Sequence, residues 1–182
     1  MPRTVTMAAR ICTSTNTSTI TVAGHGTNVV ATASPLMTGT YAVTDAATVV
    51  LTNGAGFANG TVSVGSTATL AVESGTANVR DLTLADGAAL AFNFTERGVL
   101  PVLAVANGAT ASGAVNVKIS SELGPEDWPS GGMHVLTSGG GFAGKTVSLA
   151  TGSPKWVKGV SVNGDGNIVV NIRSKSFILS FK

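Results

Sequence analysis

Five short phrases recur along this chain at an almost constant interval, and that interval limits the folds open to it. The apolar pairs Ile20-Thr-Val22, Tyr41-Ala-Val43, Val62-Ser-Val64, Leu82-Thr-Leu84 and Leu103-Ala-Val105 step by 21, 21, 20 and 21 residues. Each pair leads into a small polar stretch: AGHGTN, TDAAT, GSTAT, ADGAA or ANGAT. Six residues beyond the pair, Val49, Leu70, Leu90 and Ala111 resume an apolar face, and in the first copy that position slips by one to Val29. A unit of this length cannot bury its own apolar face, so it must stack on its neighbours. If strands of successive units pair in parallel at about 4.8 Å per layer, the five units make a column roughly 24 Å long. Val22, Val43, Val64, Leu84 and Val105 would then form one inner file, and Ile20, Tyr41, Val62, Leu82 and Leu103 a second. Each fully buried Val or Leu contributes about 1.5–3 kcal/mol, so these files would be the main source of cohesion.

Composition supports strands and turns. Only 11% of the 182 residues are charged and 5% are aromatic, while there are 23 glycines. The polar surface therefore falls to Thr, Ser and Asn, with Gly, Asn and Asp supplying turns. VRDLTLADG also fits the L-x-x-L-x-L spacing of a leucine-rich repeat. The Asn that such a repeat needs is replaced by His25, Ala46, Thr67, Gly87 and Gly108, and the remainder of each unit is too short and Gly-rich for a helix. The sequence thus predicts one all-β domain over 1–182, a right-handed parallel β-helix with repeated coils over 18–117. Beyond it, 118–182 would hold a loop, SSELGPEDWPSGG, and C-terminal capping strands. MHVLTSG, KTVSLATG, WVKGVSVNG and NIVVNI read as strands in antiparallel pairing, with NGDG as a hairpin turn. SFILSF is expected to add one more strand.

The V-x-V-x-x-G-A-x-L phrases resemble the autotransporter-associated β-strand repeats of bacterial passenger domains. HVLTSGGGFAGKTVSLATGSPKWVKGVSVNGDGNIVVNI is similar to the C-terminal capping region of such passengers. This resemblance covers about residues 18 to 180. It implies a right-handed parallel β-helix at the bacterial surface or outside the cell, serving as an adhesin or a stalk. Its partners would be host or environmental surface glycans or proteins. MPRTVTMAARIC lacks the apolar stretch of a signal peptide, so an export signal is expected to have been removed or to lie upstream. No segment reaches the roughly 20 apolar residues of a membrane span, and no membrane insertion by this chain is expected.

Candidate chemistry is sparse. The net charge is +2, with Arg80 and Arg97 apart and every Lys at 118 or later, which is not the footprint of a nucleic-acid binder. Cys12 is the single cysteine and reads as a small structural residue. Asp45 and Asp86 fall in equivalent turns with Ser66 between and Asn107 after, a file of turn formers and not an acid cluster. His25 and His134 are too far apart in the repeat to share a metal, so neither a metal nor any other cofactor is expected. GGGFAGKT spells a phosphate-binding loop but precedes a strand where a helix would be required. Thr19, Thr40 and Thr61 would stack as in an ice-binding face, but Asp81 and Val102 were expected to continue the file, and Thr21 would be followed by Ala42, Ser63, Thr83 and Ala104. The loop around Trp128, Glu126 and Asp127 joins an aromatic ring to carboxylates, as a glycan or partner contact would. Against that stands a Trp128 packed over the column's end. The expected function is non-catalytic, structural or adhesive. Its alternatives are a carbohydrate-active β-helix enzyme, or an ice-binding surface or one that self-associates through the solenoid's edges.

Overall fold

The computed structural model describes residues 3–7, 10–11, 18–128, 131–142 and 145–173. In chain order the strands begin with β1 (Thr4–Met7), β2 (Thr19–Val22), β3 (Thr27–Val30), β4 (Thr40–Val43) and β5 (Thr48–Leu51). Next come β6 (Gly56–Val64), β7 (Thr69–Glu73), β8 (Gly75–Leu84), β9 (Ala89–Phe94) and β10 (Pro101–Ala111). The last are β11 (Val115–Ser121), β12 (Gly132–Ser138), β13 (Val147–Leu149), β14 (Val157–Val162) and β15 (Ile168–Ile172). Among the described residues the only helical element is a 3-10 turn, Pro125–Asp127.

The strands form two sheets, and from β1 to β13 the chain alternates between them. The first sheet runs β1-β3-β5-β7-β9-β11-β13, all parallel, and the second runs β14-β15-β12-β10-β8-β6-β4-β2. In the second sheet only β15 and β14 pair antiparallel. Alternating side chains of both sheets point between them. Tyr41, Val43, Val62, Val64, Leu82 and Leu84 from one sheet, and Val49, Leu51, Leu70, Val72, Leu90 and Phe92 from the other, are all within one continuous core and essentially inaccessible. At the N-terminal end the same positions, Ile20 and Val22, are only half-buried, because β2 is the last strand of its sheet.

Register carries the expected files through four layers. Val22, Val43, Val64 and Leu84 lie opposite one another, as do Ile20, Tyr41, Val62 and Leu82. The fifth layer departs from expectation: Leu82 faces Ala109 and Leu84 faces Ala111, while Leu103 and Val105 face Ala77 and Val79. The cause is extra chain between β9 and β10. Glu73 pairs with Asn93, 20 residues on, but Gly75 pairs with Pro101, 26 residues on, so six residues are inserted in the loop 95–100. A bulge between Val105 and Gly108 adds one more. In the first sheet Val117, not Ala111, follows Leu90. Asn28, not Val29, lies opposite Val49, which turns Val29 to the outer side beside Val50.

The long strands β6, β8 and β10 carry bulges where the chain bends, giving the cross-section a third, shorter side. Phe57, Val79 and Val105 line it internally, and an isolated parallel bridge, Ala33 to Gly56, extends it by one layer. Gly56 sits at a φ of +122, and a β-carbon there would collide with the Asn78 backbone of the next layer, so only glycine lets these layers close.

The segment after the loop at 122–131 corrects one expectation. β12 and β13 do not form an antiparallel cap: they continue the two sheets in parallel, on β10 and β11 respectively. Only the β14–β15 hairpin, turning through Asn163–Asn167, is antiparallel, and it covers the outer edge of β12. SFILSF and Cys12 lie outside the described residues.

Candidate functional site

The six-residue insertion and the loop after β11 converge on one corner. Ser74, 7% exposed, accepts hydrogen bonds through Oγ from the backbone N–H groups of Thr95 (2.9 Å) and Glu96 (3.0 Å), which fixes the start of the inserted loop. Arg97 reaches from that loop to Asp127, with Nη2 2.9 Å from Oδ1. The Asp127 carboxylate is only 5% exposed, and its Oδ2 also accepts the Gly124 N–H at 3.1 Å. Its Oδ1 has charge compensation from Arg97 but no hydrogen bond of good geometry. Beneath this pair, Trp128 meets Phe94 edge-on at 4.8 Å between centroids, and Trp156 meets the same ring at 6.2 Å.

This geometry corrects the glycan-contact expectation for Trp128, Glu126 and Asp127. Trp128 is 5% exposed, and its indole N–H is buried with no acceptor, so the ring face a sugar would need is already packed on Phe94. Asp127 is turned inward onto Gly124 and Arg97, whereas Glu126 is exposed. The three residues do not converge outward on a common ligand position. Burial wins here because an indole on an aromatic partner removes far more apolar surface from water than an exposed loop position would.

The other candidates remain dispersed. Asp45 and Asp86 occupy equivalent turns. Asp45 adopts a φ of +53, its carbonyl accepts the Thr67 hydroxyl, and the Asp86 carboxylate accepts the Ala114 N–H at 2.8 Å. Both act as turn formers, since short polar side chains tolerate left-handed backbone and satisfy nearby amides. Asp81 and Arg80 do pair, at 2.7 Å, although they are sequence neighbours in a strand. The bulge in register beside Arg80 removes the strict alternation that would keep them apart. His25 lies exposed in a bend and His134 exposed on β12. Among the described residues no group of three or more His, Cys, Asp or Glu side chains is placed to hold a metal. The glycines of GGGFAGKT have a packing cause: a β-carbon at Gly139 or Gly140 would strike the backbone of Ala106 or Asn107 in the layer below. Lys145 is exposed and leads into β13, not into a helix.

Two surface grooves were not legible in the sequence. One, of about 230 Å³, follows the short third side and is lined by Ala33, Pro35, Gly56, Asn78 and Ala104 among others. The second, of about 370 Å³, lies on the outer face of the first sheet. Its floor is the outward file Val50, Ala71 and Ala91, nearly inaccessible although it belongs to no internal core, with Val29 packed at one end. Thr27, Thr48 and Thr69, in register, form one wall. The Thr19, Thr40, Thr61 file stacks as expected, but Asp81 and then Gly108 interrupt it, so neither file is a complete rank. No helix among the described residues is long and apolar enough to cross a membrane. Comparison with family models, curated proteins and solved structures finds no match.

Proposed function

We propose that this chain is a right-handed parallel β-helix segment that serves as a structural or adhesive part of an exported bacterial surface protein. Its support begins with connectivity. Strands of one sheet are joined through a strand of the other to a parallel neighbour, a crossover that is right-handed in nearly all proteins. The sequence resemblance to passenger repeats points the same way. The observation that carries the non-catalytic part is the chemistry of the outward positions. In successive layers they are filled by Thr, Ser, Ala and Asn, while the Asp45 and Asp86 carboxylates are one per turn and Asp81 and Asp127 are occupied by Arg80 and Arg97. General acid–base catalysis needs groups converging within about 3 Å of the reacting atoms, and these do not converge.

In this reading the adhesive contact lies on the outer face of the first sheet, where an apolar floor is edged by hydroxyls, and not at Trp128. A panel of linear polysaccharides tests both parts. The expected result is retention without release of reducing or unsaturated ends, weakened by Ala71→Arg, which fills the groove. Turnover of any member would overturn the non-catalytic reading.

A further inference from the structure

Charge is segregated along the stacking axis. Residues 18–128 carry eight acidic and three basic side chains, whereas residues 129–182 carry six basic and one acidic. The two groups meet at one corner, around the rings of Phe94, Trp128 and Trp156. Lys155 precedes Trp156, Lys158 follows it by two positions, and the Arg173 N–H donates to the Trp156 carbonyl at 2.9 Å. All three cations are exposed, and neither ion pair among the described residues involves them. On the other side of the rings, Glu96 stands in the inserted loop beside the Arg97–Asp127 pair, and Glu122 lines a cleft together with Phe94 and Thr95. Both carboxylates are exposed, and Leu123 and Trp156 between the patches are only partly buried.

We propose that this corner is the contact surface of a two-fold dimer. Lys155, Lys158 and Arg173 of one copy face Glu96 and Glu122 of the other, and the reverse, across Trp156 and Leu123. Two adjacent patches of opposite sign are self-complementary under a two-fold axis, because each copy then offers both halves of the match. A flat anionic surface fits less well, since it would meet Glu96 and Glu122 beside the cations. The inference is independent of the proposed surface role and holds whether or not the chain is adhesive.

Sedimentation equilibrium across a range of salt tests it. The account expects a dimer that weakens about tenfold or more between about 50 and about 300 mM salt, as screened charge pairs do. Lys155→Glu with Lys158→Glu and Arg173→Glu should give monomers, and so should Glu96→Lys with Glu122→Lys. Mixing the two variants should restore association as a heterodimer, which loss of folding would not produce. A parent that stays monomeric at low salt, or a dimer insensitive to salt and to both sets, would overturn the proposal. So would a monomeric parent that binds phosphatidylglycerol vesicles through the same three cations, since that outcome assigns the patch to a lipid surface.

Discussion

Tyr41 stacks on Phe57 with ring centroids 4.5 Å apart and planes inclined by 26°, which places a phenol inside a core otherwise built from aliphatic side chains and phenylalanine. Its hydroxyl is buried and has no hydrogen-bond partner, and burial pushes its pKa up to about 12 from 10.0. An unsatisfied buried hydroxyl costs about 1–3 kcal/mol, so Tyr41→Phe should raise the urea midpoint by an amount in the lower part of that range. The pH dependence has a definite sign. Raised in the folded state, this group favours folding fully below pH 10, and that contribution is lost as pH rises from 10 toward 12. Tyr41 is the only tyrosine, so absorbance of the tyrosinate reports it directly. Ionisation should follow alkaline unfolding, and the part of the stability loss that begins above pH 10 should be missing in the Phe variant. A titration with an unshifted midpoint in the folded protein would contradict the burial.

Leu84 and Thr83 point to opposite sides of β8. Leu84 is fully buried between Val64 and Ala111, whereas Thr83 is exposed. Leu84→Asp should cost at least about 4 kcal/mol, because an unpaired carboxylate enters the core, and Thr83→Asp should cost under about 0.5 kcal/mol. Thermal melts of the two variants check the facing.

Ser74→Ala removes the acceptor that holds the N–H groups of Thr95 and Glu96. The expected loss is about 1–2 kcal/mol, with faster hydrogen exchange confined to the inserted loop and the adjacent aromatic corner. Exchange that accelerates equally in β4 and β5 would show that Ser74 supports the whole stack and not this loop.

The inward files were legible where the chain repeats without interruption, because Val22, Val43, Val64 and Leu84 obey both the interval and the alternation of a strand. They failed at Leu103. The inserted loop shifted the frame, yet the alternation of β10, which runs from Pro101 to Ala111, left a second apolar pair at the expected interval. Val29 was misjudged because an apolar residue was assigned to the core, when a file of Val50, Ala71 and Ala91 on the outer face offered it equivalent cover. The corner at Trp128 depends on contacts between residues separated by more than 25 positions, which no local pattern specifies.

A chain ending at Val117 would lose β12 and β13, which pair with β10 and β11. It would leave Leu103 and Val105 at an open sheet edge, and such edges recruit further strands. Light scattering of this shortened chain should show concentration-dependent association at salt levels that separate the full-length dimer. A monodisperse monomer would mean that the later strands do not protect the stack.

The register across the insertion is the point on which the stacked architecture depends most, and spin-label broadening measures it directly. With Cys12 replaced by Ser, one label is placed at Thr83 and the other at either Thr110 or Ala104. Thr83 lies opposite Thr110, one layer away, whereas Ala104 lies opposite Asn78 on the far side of the bend. The account predicts strong dipolar broadening for the Thr83–Thr110 pair, at a layer spacing of about 4.8 Å, and little for Thr83–Ala104, roughly 15 Å apart. Broadening in the Thr83–Ala104 pair alone would restore the uninterrupted 21-residue step and contradict the structure described above.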